Sequence, residues 1–335
     1  MRTTLERRTQ PPPKVEQARS SENNSNPVNF RSDRYRTAPI NIKTILVPLD
    51  FSRPAMQAFD YAVTIAKKFS AQVELIHVQL PDEACAVPGT SHLIRECAES
   101  AALIHKRIGQ LNGAQKPQFW PENCRIRTGH PYEEICKVAR ELNADLIVLG
   151  SRGNTGLKRV LLGSTAERVV RFAPCPVLVV RKWRKTNLPI RKILVPTDFS
   201  QCAMAGAIYA ASLAKALNAT MHLCNVVFPV SPVLVERVAV NLPIDNTLQM
   251  REARLDMQAL TRVDLFKGLK CRGAVRSGYV TDTIYSETAG VDLVVISTHG
   301  RTGFKHALMG SVAEQVVRYA QCPVLVVPSS HTASL

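Results

Sequence analysis

Apolar residues in this chain gather in short unbroken runs, separated by longer stretches in which they recur every three or four positions. Residues 44–48, 73–78, 145–150 and 177–180 are runs rich in Val, Ile and Leu without polar alternation. That pattern predicts parallel strands covered on both faces. Helical spacing marks 54–69, 91–111, 132–142 and 164–172. In the first of these, Ala55, Phe59, Ala62, Val63 and Ala66 form one stripe, and Ser52 stands where it can cap the helix. A weaker strand near 125–127 completes five. The alternation predicts an α/β fold with a doubly wound parallel sheet and right-handed crossovers.

The same pattern then returns. Strands are predicted near 192–196, 220–226, 274–276, 292–297 and 324–327. Residues 42–52 align with 190–200 at an offset of 148 with eight of eleven identical, and 150–180 align with 297–327 at an offset of 147 with 19 of 31 identical. Solenoid repeats run to roughly 50 residues, so this period is that of a whole domain. The stretch 227–272 is the least like its counterpart, carries a long helical candidate at 248–265, and is expected to be peripheral.

Composition refines the boundaries. Residues 1–40 hold eight Arg/Lys, four Asp/Glu, Pro11-Pro12-Pro13 and a Ser/Asn-rich run, a composition that cannot bury enough surface to order itself. The expected plan is a disordered basic tail at 1–40, a domain at 41–181, a basic linker at 182–189, a domain at 190–328 and a short disordered tail at 329–335. Nine scattered cysteines without zinc spacing predict a reducing environment, with Cys175 and Cys322 as packed apolar residues. No apolar run approaches the roughly 20 residues of a membrane span, and no signal-peptide core is evident, so a cytoplasmic protein is expected. Of the formal charge of +16, the tail carries +4 and residues 181–192 carry +6, leaving +6 for the domain bodies. The basic balance is read as solvated tail and linker rather than a built nucleic-acid surface.

Candidate chemistry lies where two matched segments converge. If the first and fourth strands of each half are neighbours, Asp50 meets Gly150, and Asp198 meets Ser297, in the crevice outside the strands' carboxyl ends. An Asp there can accept hydrogen bonds from both hydroxyls of a ribose. The loop beginning Gly150, Gly153 and ending Gly163, Ser164 permits close backbone approach to an anion, and its last two residues open a helix whose amides favour phosphate. Read alone, the same residues also suit a plain turn and a helix cap. His299, His306, Lys158 and Lys305 lie in or just after these loops and receive no catalytic role.

Taken together, Ile-Leu-Val-Pro-x-Asp-Phe-Ser, the Gly-x2-Gly-x9-Gly-Ser loop and the closing Cys-Pro-Val-Leu-Val-Val resemble the universal stress protein family, in its ATP-binding branch and tandem form. The resemblance covers about 42–181 and 190–328. It implies a Rossmann-like sheet of five strands in the order 3-2-1-4-5 in each half, binding ATP or another adenine nucleotide with any Mg2+ carried by the phosphates. By motif, the ribose-contacting residues are Asp50 and Asp198, with Pro48 and Pro196 near the base and Val78 and Val226 packed on it. The phosphate loop falls on Gly150, Gly153, Gly163, Ser164 and Thr165, and on Ser297, Gly300, Gly310, Ser311 and Val312. Ser297 departs from the pattern, and its Cβ is expected to crowd the ribose. The family also implies dimers through the last strands, so 177–180 and 324–327 are expected to pair within one molecule as a pseudo-dimer, with further homodimers open.

The function expected is nucleotide-dependent stability or partner binding in a stress response, without catalysis and without a protein-held metal. Two alternatives stay open: a slow ATPase, and a module binding nucleic acid or protein through its basic tail with no nucleotide dependence. Neither a Walker Gly-x4-Gly-Lys-Ser/Thr pattern nor a carboxylate beyond Asp50 and Asp198 supports rapid phosphoryl transfer.

Overall fold

In the computed structural model, residues 39–80, 124–151, 162–181, 190–229, 246–298 and 309–328 are described. The first half runs β1 (Thr44–Pro48), α1 (Arg53–Phe69), β2 (Gln72–Gln79), β3 (Cys124–Thr128), α2 (Pro131–Glu141), β4 (Leu146–Gly150), α3 (Ser164–Phe172) and β5 (Val177–Val180). The second runs β6 (Lys192–Pro196), α4 (Gln201–Leu217), β7 (Thr220–Val227), α5 (Asn246–Thr261), β8 (Cys271–Ser277), α6 (Val280–Glu287), β9 (Leu293–Ser297), α7 (Ser311–Tyr319) and β10 (Val324–Val327). The helix expected at 91–111 lies outside the described residues.

Strand order is β3-β2-β1-β4-β5-β10-β9-β6-β7-β8, so each half has the order 3-2-1-4-5 and the two sheets merge into one of ten strands. All neighbours are parallel except β5 and β10, which run antiparallel with Val177 opposite Val326 and Val179 opposite Val324. Side chains alternate across these two short strands. Leu178, Val180, Leu325 and Val327 join the apolar layer under α1, α4 and α5. Val177, Val179, Val324 and Val326 join the layer under α2, α3, α6 and α7. Both cores therefore continue through the junction, and the edge strands cover one another.

Polar contacts follow the same two-fold relation. Asp145 Oδ2 accepts the N–H groups of Lys43 at 2.8 Å and Thr44 at 2.9 Å, and Asp292 Oδ2 accepts those of Arg191 and Lys192 at 2.9 Å, so one carboxylate anchors the start of each first strand. Glu167 and Arg171 on α3 meet Glu314 and Arg318 on α7, with Arg318 reaching Glu167 at 4.0 Å across the junction. Arg181 donates to the carbonyls of Arg318 and Ala320, at the end of α7 where helical carbonyls lack internal partners. Burial raises the Tyr61 hydroxyl of α1, helped by Cys322 and Asp292; burial raises Tyr209 of α4, helped by Cys175 and Asp145. Each tyrosine thus lies within the field of acidic groups from the opposite half.

Among the described residues of the segment expected to be peripheral, one helix face and the turn after it join the core. Ala253, Met257 and Leu260 of α5 are buried, as are Leu265 and Phe266 of the short 3-10 turn that follows. Gly273 of β8 makes room for this helix, because a Cβ there would stand 2.5 Å from Met257 Cγ. A lone apolar stripe of this kind does not reveal from sequence which surface it covers.

Cys175 and Cys322 are buried, in keeping with the reading of packed thiols. Burial pushes Cys136, Cys224 and Cys271 up to about 11, and Cys175 and Cys322 up to about 12. The unfolded thiol ionises near the ordinary value of 9, so the unfolded chain releases protons first as pH rises. The stabilisation is fully present below about pH 9 and is lost as pH climbs towards about 12. The urea midpoint should fall steadily across that alkaline range; a flat midpoint would refute the buried-thiol assignment.

Candidate functional site

β1 and β4 are hydrogen-bonded neighbours, with Ile45 opposite Leu146 and Leu46 opposite Ile147, and the chain leaves them in opposite directions. After β1 it turns into α1 on one face, and after β4 it leads to α3 on the other. This arrangement opens a crevice at the carboxyl ends, the position at which open α/β sheets bind ligands. β6 and β9 repeat the arrangement, with Ile193 opposite Leu293.

The turn after β1 is built by short-range contacts. Asp50 Oδ1 accepts the Ser52 N–H at 3.0 Å, and Ser52 Oγ accepts the Ala55 N–H at 3.3 Å. Asp198 Oδ1 accepts from Ser200 at 3.0 Å, and Ser200 Oγ from Ala203 at 3.1 Å. The helix caps are therefore Ser52 and Ser200, and the aspartates brace the turn that precedes them. Between them Phe51 and Phe199 adopt φ of +59° and +63°, a left-handed conformation that costs a non-glycine residue on the order of 1–2 kcal/mol.

A second brace comes from the neighbouring strand. His77 Nδ1 donates to the Leu49 carbonyl at 2.7 Å, and Asn225 Nδ2 donates to the equivalent Thr197 carbonyl at 2.9 Å. Phe51 also packs on the His77 ring at 4.9 Å between centroids. Sequence reasoning did not find the left-handed phenylalanines or these braces. His and Asn share no sequence identity, and their common role appears only through register.

On the other side, the Gly163 N–H donates to the Ser151 carbonyl at 2.9 Å, and the Gly310 N–H donates to Thr298 at 2.8 Å. These bonds hold the N-termini of α3 and α7 beside the ends of β4 and β9. Neither Gly163 nor Gly310 contributes a side-chain cap. Ser164 and Ser311 are exposed, whereas Thr165 and Val312 are half-buried. Pro48 lies opposite Ile76 in the sheet, and Val78 is two residues beyond Ile76 on the same face, half-buried like Val226. Gly153 and Gly300 lie outside the described residues, as do His299, His306, Lys158 and Lys305.

The geometry changes the reading of Gly150 and Ser297. A Cβ on Gly150 would stand 2.7 Å from Pro54 C and 2.8 Å from Pro54 O, so this position faces the backbone of α1. In the second half, Ser297 is buried, and glycine appears instead in the helix: a Cβ on Gly206 would stand 3.2 Å from the Ser297 N. Close helix-to-strand packing accounts for both glycines.

The sequence model of the universal stress protein family matches this chain twice, over residues 41–181 and 189–328. The chain belongs to the universal stress protein family. It carries two such domains in tandem, on a Rossmann-like fold. A universal stress protein of Methanocaldococcus jannaschii is 37% identical over 149 residues, covering 43% of this chain and 84% of that protein. The crystal structure of a universal stress protein from Archaeoglobus fulgidus DSM 4304 aligns over 86% of this chain and 97% of its own, with TM-score 0.59 and 22% identity. A functionally unknown protein from Pseudomonas aeruginosa PAO1 aligns over 88% of this chain and 96% of its own, with TM-score 0.58 and 19% identity. These two structural likenesses concern the fold. Among the described residues, no helix of this universal stress protein is long and apolar enough to cross a membrane.

Proposed function

We propose that this tandem universal stress protein binds an adenine nucleotide, in the first instance ATP, in each of its two crevices, and acts through occupancy rather than turnover. The observation that carries the reading is the convergence, made twice, of a turn-braced aspartate after the first strand and an uncapped helix N-terminus after the fourth. Asp50 and Asp198 would hold the ribose hydroxyls. The first-turn amides of α3 and α7, with Ser164 and Ser311, would hold phosphate. Pro48 with Val78, and Pro196 with Val226, would lie along the base. Any Mg2+ would arrive with the phosphates.

The β5–β10 pairing makes the two domains a covalent pseudo-dimer in this reading, so a ligand in either crevice stabilises one shared sheet. A nucleotide bound only to the folded state at a hundredfold excess over Kd adds about 2.7 kcal/mol. Occupancy can therefore report adenylate level as protein stability, or through a partner surface, in a soluble stress response. Gently purified protein should release about two adenine nucleotides per chain by mass spectrometry, and the emptied protein should take up ATP in calorimetry with the same stoichiometry. Gly153→Asp with Gly300→Asp should abolish that uptake. No released nucleotide and no heat of ATP binding would refute the proposal.

A further inference from the structure

The two crevices differ at their base ends. Ile76 lies opposite Pro48, and Cys224 lies opposite Pro196 in the same register, so Leu80 of the first half corresponds to Phe228 of the second. His130 and Tyr279 also correspond: each follows a glycine, precedes a helix, and has similar extended backbone, φ −76° and ψ 122° against φ −68° and ψ 125°. The first half thus presents an aliphatic residue and an imidazole, whereas the second presents two aromatic rings. Phe228 and Tyr279 pack edge-to-face, 5.3 Å between centroids at 72°. Even so, Tyr279 remains 66% exposed and Phe228 45% exposed.

Their placement points to an occupant. Phe228 is two residues beyond Val226, a rise of about 7 Å along the chain, and Val226 packs against the apolar layer under α6. Tyr279 immediately precedes α6 on that face. The Gly278 N–H donates to the Val227 carbonyl at 3.1 Å and fixes the two aromatic residues side by side. The rings therefore prolong the surface on which the base lies in the nucleotide reading above, and a planar π-system suits them.

Resting on that reading, we propose that Phe228 and Tyr279 form an aromatic wall against which the nucleobase of the second crevice stacks, making this the tighter of the two sites. An exposed aromatic pair is a base platform without a hydrogen-bond code, so the wall favours any planar purine and leaves adenine recognition to the crevice itself. The first crevice, with Leu80 and His130, lacks this platform.

The test uses the full chain and ATP. Calorimetry of the emptied protein should resolve a tight and a weak site. The exchange Phe228→Leu with Tyr279→His, which installs the residues of the first half, should weaken the tight site about tenfold and leave the other unchanged. Adenosine, used as competitor, should lose the same factor, because the wall touches the ring that both ligands share. The reciprocal exchange, Leu80→Phe with His130→Tyr, should tighten the weak site, and it decides the matter if the first variant does not fold. ATP bound at two sites but unaffected by either exchange would overturn the wall alone. A loss confined to ATP and absent for adenosine would place the effect at the phosphates and overturn it as well. No ATP binding by the unaltered protein would overturn the nucleotide reading and the wall together.

Discussion

Gly150→Ala should destabilise the chain by about 2–3 kcal/mol, read as a fall in urea midpoint at constant slope. The added methyl would lie 2.7 Å from Pro54 C, 2.8 Å from Pro54 O and 3.0 Å from Ala55 N. These are backbone atoms in the first turn of α1, with no rotamer by which to withdraw. Relief requires moving the helix, and α1 carries Ala55, Ala58, Phe59, Ala62 and Val63 into the core. It also moves the Asp50–Ser52 turn, so on the proposed nucleotide reading the first crevice should lose affinity in the same variant while the second retains it. Gly206→Ala is the internal comparison. Its Cβ would meet Ser297 N at 3.2 Å and Ile296 C at 3.4 Å, contacts that a few tenths of an ångström relieve, and alanine gains about 1 kcal/mol of helix propensity, so a net change within about 1 kcal/mol of zero is expected. Equal effects at the two positions would show that the halves do not differ in the way their first helices approach the sheet.

On the proposed nucleotide reading, Asp50→Ala and Asp198→Ala should each weaken ATP binding at their own crevice by about 10- to 100-fold, the cost of losing a charged hydrogen-bonding partner. The double variant should show no measurable heat. Each aspartate also braces a turn, and substitution by asparagine separates the two roles. Asp50→Asn keeps an oxygen for the Ser52 N–H, now held at 3.0 Å, and removes the charge. It should unfold at the same urea concentration as the unaltered chain and still bind ATP more weakly. If the double alanine variant binds ATP as tightly as the unaltered chain, these carboxylates serve the turns alone and the ribose assignment fails.

The elements most legible in the sequence are those with both faces covered. Residues 44–48, 177–180, 192–196 and 324–327 form strands over the very bounds that their apolar runs predict, because their central residues are buried and apolar without interruption. The helix at 164–172 was equally legible, opened by Gly163 and stopped before the Cys-Pro strand entry. Strands half open to polar surroundings were seen only in part. Residues 125–127 grew to Cys124–Thr128, and 274–276 grew to Cys271–Ser277, where half-exposed Arg and Ser break the apolar signal. The helix candidate 248–265 ends at Thr261, and a separate 3-10 turn follows, because the buried Leu265 and Phe266 look like a continuation of its apolar stripe when read along the chain.

The family, the duplication, the α/β class and the two matched loop segments are legible along the chain, since each is a matter of residue types at fixed separations. What depends on distances across the fold became visible only in three dimensions. The joining of two sheets through β5 and β10 was expected from the family resemblance alone, because the apolar pattern by itself leaves the choice among edge strands degenerate. The left-handed Phe51 and Phe199 sit in turns held both by the local aspartate and by a side chain from the neighbouring strand, against the preference of the residue itself. Gly150 and Gly206 each admit a close helix-to-strand contact that a Cβ would crowd, at different turns of the first helix of each half, whereas sequence alone sees only a motif with its first glycine missing.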